Sequence, residues 1–224
     1  MVGLTPAMTQ AFVPALGRFG MTRHYDRALA FMTRETVWRR ALVDRFQGVG
    51  TGTVVDIGCG TGSLTIAIKT AHPQALVIGV DPDDDALAIA RAKAAASNAT
   101  VQWVRTMGDR SVATIGAGVA DIVVSSLVLH QCPLAMKRAI LADAWALLRP
   151  GGRLLICDYG VQPMIAMRTA FLLIQCIDGF DATGPNAAGI LPQLIGEAGF
   201  TDVAEDFALA TMTGRLAIYS AVRG

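Results

Sequence analysis

Apolar residues along the chain alternate between short β-rich runs and longer helical patterns. The short runs are nearly continuous in Val, Ile and Leu, which is typical of strands in a sheet that is covered on both faces. They predict strands over Thr53–Ile57, Leu76–Val80, Val101–Arg105, Asp121–Ser125 and Arg153–Asp158. Between them, helical patterns occupy Ser63–Ala71, Asp84–Ser97 and Ala135–Leu148. This alternation predicts an α/β fold with a parallel sheet and right-handed crossovers.

Both ends of the chain depart from that alternation. An amphipathic helix is predicted over Arg27–Phe46, before the first strand. After the fifth strand, an apolar helical stretch at Met164–Ile177 leads into a turn-rich segment from Gly179 to Asn186. The last predicted elements are a short helix and two β-like runs with a hairpin between them, at Leu191–Ala198, Val203–Thr211, Arg215–Val222 and Gly214.

Composition indicates one folded domain with its own core. The 224 residues are 53% hydrophobic and 17% charged, which argues against disorder over most of the chain. The net charge of +1 is too low for a general nucleic-acid-binding surface. Four widely spaced cysteines argue against a zinc module or disulfide scaffold and favour reduced thiols in the cytoplasm. No ligand cluster suggests a metal.

The sequence does not indicate a targeting peptide or a membrane span. Residues 1–22 lack a basic start followed by a clean apolar run. The most apolar stretch, Met164–Ile177, is shorter than the ~18 apolar residues that a spanning helix needs. We expect a buried helix there, or one that lies against an apolar ligand or a bilayer surface.

A glycine-rich segment, VVDIGCGTG, follows the first predicted strand and opens a helix. Gly58, Gly60 and Gly62 let the backbone turn sharply and approach a ligand closely. The spacing is GxGxG rather than the GxGxxG of dinucleotide-binding proteins. Asp56 lies two residues before the first glycine, where a carboxylate repels a pyrophosphate and attracts an ammonium group.

A second carboxylate follows at the end of the next strand. Asp81 lies 19 residues after Gly62, a distance at which an acid in a βαβ unit accepts the hydroxyl groups of a ribose. A ligand with a ribose, a positive amine and no phosphate is S-adenosylmethionine. The alternative is a purely structural glycine turn in a parallel α/β protein.

These motifs resemble the class I S-adenosylmethionine-dependent methyltransferases. The resemblance covers about Tyr25 to Val222 and extends to three more segments, YDRALAFMTRETVWRR, SSLVLHQ (Ser125–Gln131) and LLRPGGRLLICDYG (Leu147–Gly160). The last two resemble the small-molecule branch, which includes quinone, sterol and phospholipid methylases. The resemblance implies a doubly wound, mostly parallel seven-stranded sheet with an antiparallel C-terminal hairpin. It also implies an N-terminal helical lid.

The resemblance assigns a set of cofactor contacts. They are Tyr25, Asp56, Gly58, Cys59, Gly60, Gly62, Asp81, Pro82, Ser125 and Leu127. One departure concerns the adenine, because the Gly-Asp-Ala that usually follows the third strand is missing. Either Asp109 serves after a shift of the loop, or backbone groups near Met107 contact the adenine.

The candidates for chemistry follow the fourth and fifth strands. His130 is either a general base or a structural histidine that fixes its loop. Asp158 and Tyr159 end the fifth strand at the same edge and are candidates for contact with the methyl acceptor. Three residues of the segment after this strand, Phe171, Gln175 and Phe180, either line an apolar acceptor pocket or pack in the core or against a second copy.

The domain expectation is an N-terminal lid over residues 1–48 and a methyltransferase domain over residues 49–224. A substrate-roof insertion is expected at about residues 160–190. The cluster Arg34, Arg39, Arg40 and Arg45 is a solvated face or contacts an anionic membrane surface. A monomer and a homodimer both remain open.

The expected function is methyl transfer from S-adenosylmethionine to a mostly apolar small molecule, at O, N or C. The first alternative is a non-catalytic binding or partner protein with a degenerate methyltransferase fold. The second is a nicotinamide-dependent oxidoreductase, which the glycine spacing and Asp56 disfavour.

Overall fold

The computed structural model describes residues 32–224 of the chain. The predicted cofactor contact Tyr25 and the first part of the predicted helix Arg27–Phe46 lie outside the described residues. Among the described residues, every helix is too short or too polar to cross a bilayer.

Seven strands form one sheet in the order β3-β2-β1-β4-β5-β7-β6. The strands are β1 Thr53–Ile57, β2 Leu76–Asp81, β3 Gln102–Arg105, β4 Ala120–Ser126, β5 Leu148–Tyr159, β6 Phe200–Thr211 and β7 Gly214–Arg223. The first five run parallel, whereas β7 is antiparallel to both β5 and β6. The predicted sheet and its C-terminal hairpin are confirmed.

The helices among the described residues precede β1, connect the strands and follow β5. They are α1 Glu35–Val43, α2 Ser63–Ala71, α3 Asp84–Ala96, α4 Ser111–Ile115, α5 Leu134–Leu147, α6 Ile165–Asp178, α7 Phe180–Ala187 and α8 Leu191–Glu197. Two short 3-10 helices lie at Asp44–Phe46 and Leu129–Gln131. The predicted helix Arg27–Phe46 is interrupted, because Arg34 has a left-handed backbone with φ 53° and α1 begins only after it.

Helix α7 replaces the turn-rich segment that the sequence predicts. Its glycine and proline disfavour a helix, but buried hydrogen bonds of Asn186 oppose that local preference. The side-chain oxygen of Asn186 accepts from Nζ of Lys137 at 2.8 Å, and its Nδ2 donates to the carbonyl of Tyr159 at 3.1 Å. Both partners come from distant parts of the chain, so the sequence pattern around Gly184 could not indicate them.

Two apolar cores cover the two faces of the sheet, as expected for a doubly wound fold. One is built on α5 and α8, through residues such as Leu141 and Leu194. The other includes Trp38 and Leu42 of α1 packed with Ile68 of α2. Helix α1 therefore shares the core of the sheet, and the predicted boundary at residue 48 stays a prediction.

Candidate active site

A cavity of about 500 Å³ opens at the carboxyl ends of the parallel strands. The chain proceeds outward from β1 to β3 and then returns to β4 on the other side of β1, so the direction reverses between β1 and β4. Open α/β sheets bind their ligands at such a reversal, and the volume suits a small molecule. The cavity spans the tips of β2, β1, β4 and β5, which is three strand spacings or about 14 Å.

The glycine loop after β1 forms the floor of this cavity. The backbone N–H groups of Gly58 and Cys59 donate to the carbonyl of Val80 at 2.8 and 3.0 Å. Gly60 has a φ of 51°, and a Cβ added there would meet no described atom within 4 Å. Since Gly60 lines the cavity, the loop presents bare backbone to this open space.

Asp81 closes the loop from the side of β2. Its Oδ2 accepts from the N–H of Gly60 at 2.8 Å, and its Oδ1 accepts from the N–H of Asp83 at 2.9 Å. Burial raises the pKa of Asp81, while these two hydrogen bonds act to lower it. A carboxylate has about four acceptor positions, so two remain for a ligand in the cavity that Asp81 lines.

Asp56 lies beneath the loop rather than in the cavity wall. Its Oδ2 accepts from the hydroxyl of Thr65 at 2.6 Å, while its Oδ1 is buried without a hydrogen-bond partner among residues 32–224. Burial raises the pKa of Asp56 to about 7, although the Thr65 hydrogen bond and the charge of Arg39 act to lower it. The predicted contact with an amine stays a prediction, and the unpartnered Oδ1 is the atom available for it.

Gly62 has a packing role that differs from the predicted cofactor contact. A Cβ there would lie 2.6 Å from Cη2 of Trp103 and 2.8 Å from Cβ of Ala90. The glycine therefore lets α2 approach α3 and the indole on β3 closely. It is absent from the lining of the cavity.

The adenine side of the predicted site is formed by the segments after β2 and β3. Pro82, Met107 and Gly108 line the cavity there. Asp109 does not line it, but its Oδ1 is buried without a hydrogen-bond partner in the described part of the chain. Of the two alternatives for the missing Gly-Asp-Ala, the geometry favours the backbone near Met107, because Met107 lines the cavity whereas Asp109 does not.

The tip of β4 brings Leu127, but not the side chain of Ser125, to the cavity. The hydroxyl of Ser125 donates to the carbonyl of Ile57 at 2.9 Å and joins β4 to β1 instead. Leu127 lines the cavity with a φ of 56°, which costs a non-glycine residue about 1–2 kcal/mol. Strain of this kind concentrates at functional sites.

His130 lies between two carboxylates at the cavity wall. Its Nδ1 is 2.8 Å from Oδ1 of Asp158, and its Nε2 is 3.3 Å from Oδ2 of Asp178. Burial alone would lower the pKa of His130, but the two carboxylates outweigh it and raise the pKa to about 9. The histidine is therefore charged at neutral pH and has no lone pair for a proton. This geometry argues against His130 as the general base.

Asp158 holds His130 in place and is not exposed to an acceptor. Its carboxylate accepts from the backbone N–H groups of Leu129, His130 and Tyr159, at 2.7, 3.3 and 2.7 Å. Asp158 is only 1% exposed and is absent from the cavity lining. The structure therefore contradicts the predicted contact between Asp158 and the methyl acceptor.

Tyr159 does line the cavity, as predicted. Its hydroxyl shares a hydrogen bond of 2.8 Å with that of Thr213, and its ring meets His130 edge-on. Burial raises the pKa of Tyr159 above its usual range, which keeps the phenol neutral.

Helix α6 forms the roof with different residues from those the sequence predicts. Ile174, Ile177 and Asp178 line the cavity at helical spacing. Phe171 instead is buried against the ring of Tyr159, with centroids 4.8 Å apart. Gln175 borders a separate hollow between α6 and residues 187–188, and Phe180 is 57% exposed. The rotation of α6 about its axis decides this, and it depends on packing against β7 rather than on the helix sequence.

The basic cluster on the first helix is not one solvated face. Arg39 lines the cavity, is paired with Glu35 and has a pKa that burial lowers. Arg45 contacts Asp206 on β6, and Arg34 donates to the carbonyl of Ala210 at 3.3 Å. The predicted cluster is therefore divided between the cavity and the edge of the sheet.

Sequence reasoning missed Asp178 and the buried lysine behind it. Nζ of Lys137 donates to the carbonyls of Leu129 and Ala182 and to the side chain of Asn186. A lysine on an otherwise apolar helix face was the available signal for this network. Asp178 follows an apolar helix and precedes Gly179, a position that reads as an ordinary helix end.

Comparison with known families agrees with this geometry. A family model described as a methyltransferase domain matches residues 54–152, which contain the glycine loop, Asp81 and the tip of β4. The match identifies a methyltransferase domain within residues 54–152. A comparison with curated proteins finds no match.

Solved structures share the fold of this domain at low sequence identity. Magnesium protoporphyrin IX methyltransferase from Synechocystis, with bound S-adenosylhomocysteine, is 19% identical with a TM-score of 0.67, over 93% of this chain and 91% of that one. A possible histamine N-methyltransferase from Thermotoga maritima is 16% identical with a TM-score of 0.67, over 90% and 95%. An O-methyltransferase family protein from Burkholderia thailandensis is 20% identical with a TM-score of 0.65, over 84% of this chain and only 56% of its own.

Proposed function

We propose that this methyltransferase transfers the methyl group of S-adenosylmethionine to a mostly apolar small molecule, at an oxygen, nitrogen or carbon atom. The observation that carries the proposal is the bond between Gly60 and Asp81, which joins an open glycine loop to a carboxylate with spare acceptor positions. Both residues face a cavity that continues under the apolar roof of α6.

The residues at the β2 and β1 tips fit this cofactor. Asp81 would accept the ribose hydroxyls, and the backbone at Gly58 and Gly60 would pass beside the methionine part. The unpartnered Oδ1 of Asp56 is a buried acceptor suited to the amino group of the methionine part, and the backbone near Met107 would contact the adenine. When bound, the cofactor supplies an activated sulfonium methyl group, so the protein contributes mainly by bringing the acceptor into line.

The other half of the cavity supports an apolar acceptor. Trp38, Val128, Met136, Ile140 and Ile177 contribute apolar surface there, and the polar groups include His130, Tyr159 and Asp178. The structurally similar Synechocystis protein is named for action on magnesium protoporphyrin IX. The four free cysteines are consistent with a reducing compartment such as the cytoplasm.

Calorimetry with S-adenosylhomocysteine tests the cofactor assignment. We expect saturable binding to the wild type and at least about tenfold weaker binding to Asp81→Ala, because charge-assisted hydrogen bonds to the ribose are lost. The matched control is Asp85→Asn, an exposed carboxylate on α3. Equal affinities in all three proteins would refute the ribose assignment.

Two further measurements distinguish the proposed methyltransferase from the oxidoreductase and from the non-catalytic protein. Saturable NADH binding without binding of S-adenosylhomocysteine would indicate the oxidoreductase. Cofactor binding without methyl transfer to a panel of quinols, phenols, amines and thiols would favour the non-catalytic alternative.

A further inference from the structure

A row of three ionisable side chains runs from the tip of β5 to the roof of the cavity. Asp158 lies at the buried end, His130 lies in the middle, and Asp178 closes the row as the last residue of α6. Only His130 and Asp178 line the cavity, and the side chain of Asp178 is 17% exposed.

The hydrogen-bond capacity of this row is unequal at its two ends. Asp158 accepts from three backbone N–H groups and from Nδ1 of His130, which uses its acceptor positions. Both ring nitrogens of His130 face carboxylates, which favours a proton on each of them. Asp178 receives one of them at Oδ2 and keeps further acceptor positions beside the cavity.

The charged groups around the row do not take up the remaining acceptor positions of Asp178. Lys137 compensates the charge of Asp158 from the buried side, where Nζ donates to carbonyls and to Asn186. Arg39, on the α1 side of the cavity, is paired with Glu35 through Nη2, while its Nε has no hydrogen-bond partner among the described residues. The polar wall under α6 therefore offers carboxylate acceptors, while its donors on His130 are occupied.

We propose that Asp178 selects the methyl acceptor by binding the O–H or N–H of the group that is methylated. This inference rests on the proposed function and narrows it to neutral, mostly apolar alcohols, phenols or amines. Methyl acceptors that present a carboxylate or phosphate to Asp178 are disfavoured. Their negative charge would face the Asp178 carboxylate, and the neighbouring donors on His130 are already engaged. His130 and Asp158 are positioning residues that hold the carboxylate of Asp178 at the cavity wall.

The reaction at this residue balances without a further reactant. The lone pair of the acceptor oxygen or nitrogen forms a bond to the methyl carbon while the S–CH₃ bond breaks and leaves its electron pair on sulfur. The proton of the acceptor O–H or N–H passes to the carboxylate of Asp178 and from there to solvent. The products are the methylated acceptor, S-adenosylhomocysteine and one proton.

Binding of matched probes to the protein saturated with S-adenosylhomocysteine tests this selectivity. We expect 2-naphthol to bind at least about tenfold more tightly than 2-naphthoate, which has the same ring system. Asp178→Asn should weaken 2-naphthol binding by about tenfold, whereas Asp181→Asn, an exposed carboxylate on α7, should not change it. Equal or tighter binding of 2-naphthoate, undiminished binding to Asp178→Asn, or no binding of 2-naphthol would overturn the proposal.

A spectroscopic measurement tests the positioning role of His130 independently of any acceptor. In protein with ¹⁵N-labelled histidine, both ring nitrogens of His130 should be protonated at pH 7.5, and His130→Gln assigns the signals. In Asp178→Asn the ring should shift toward a neutral tautomer, while Asp181→Asn should leave the signals in place. A neutral His130 in the wild type would contradict the proposal. Failure to bind S-adenosylhomocysteine at all would instead count against the proposed function.

Discussion

The backbone N–H of Gly60 donates to Oδ2 of Asp81 at 2.8 Å and thereby joins the loop after β1 to the end of β2. The loop and the carboxylate are therefore positioned together, so a ligand that contacts one is held at a fixed place relative to the other. The following predictions test this arrangement and the buried polar groups around it.

Substitution of Gly60 by alanine should separate ligand binding from stability. The left-handed backbone costs alanine about 1 kcal/mol, and the added methyl group meets only open space within the described structure. We expect urea denaturation to show a loss of about that size, and calorimetry to show at least about tenfold weaker binding of S-adenosylhomocysteine, because the methyl group enters the cavity.

Gly58→Ala is the matched comparison on the same loop. Its Cβ would lie 2.3 Å from Cγ2 of Val128, so overpacking adds about 1–3 kcal/mol to the cost of the left-handed backbone. If Gly60→Ala bound the ligand as tightly as the wild type, the open face of the loop would not be the binding surface.

Ligand binding should release protons near neutral pH if the amine lies near Asp56. Burial raises the pKa of Asp56 to about 7, so this carboxyl group is more than half protonated at pH 6.5. A nearby ammonium group favours the charged form and lowers the pKa, which expels the proton. Calorimetry at pH 6.5 in phosphate and imidazole buffers should show this release, and Asp56→Asn should abolish it. Equal apparent enthalpies in the two buffers would argue against the contact.

The free energy of unfolding should fall as the pH rises through the range of His130. Its pKa in the fold is about 9, above the ordinary value of 6.5, so the native state binds more protons than the unfolded state between these values. The stabilisation is complete below pH 6.5 and is lost as the pH passes 9. Urea denaturation from pH 6 to 9.5 measures this decline.

Asp178→Asn is the control that isolates His130 in this titration. Burial also raises the pKa of the thiols of Cys59 and Cys157, which therefore contribute to the decline once the unfolded chain begins to lose thiol protons. The substitution leaves both cysteines in place but removes one carboxylate from His130. A pH profile of Asp178→Asn as steep as that of the wild type would show that the pair does not set the charge of His130.

Lys137→Met should destabilise the fold although it introduces an apolar side chain into an apolar core. The fully buried ammonium donates to the carbonyls of Leu129 and Ala182 and to the side chain of Asn186, and the substitution removes this donor from all three. We expect a loss of about 2–4 kcal/mol in urea denaturation. Lys69→Met, which removes an exposed bond to the carbonyl of Pro73 and a part-buried bond to that of Ala75, should cost less than about 1 kcal/mol. Equal losses would contradict the assigned role.

The sequence predicts the sheet and the positions of Gly60 and Asp81 at the cavity well, because both depend on local signals. The strand Thr53–Ile57 and the helix Ser63–Ala71 have the predicted ends, since glycines punctuate the chain between them. Gly60 and Asp81 are likewise placed at the cavity by their spacing along a βαβ unit, which the topology converts directly into proximity.

The acceptor side was less accessible to sequence reasoning, because it depends on contacts between distant residues. His130 contacts Asp158 and Asp178, which lie 28 and 48 positions further along the chain, so its charge does not follow from its own segment. The prediction selected Phe171 on α6, whereas Ile177 lines the cavity, because the rotation of α6 is set by tertiary packing.

The most direct measurement is a crystal structure of the protein with S-adenosylhomocysteine. We predict the ribose hydroxyls within about 2.5–3.2 Å of the Asp81 carboxylate, with the homocysteine part beside the backbone of Gly58 and Gly60. A ribose bound elsewhere, with Asp81 contacting only the backbone of its own loop, would contradict the central claim.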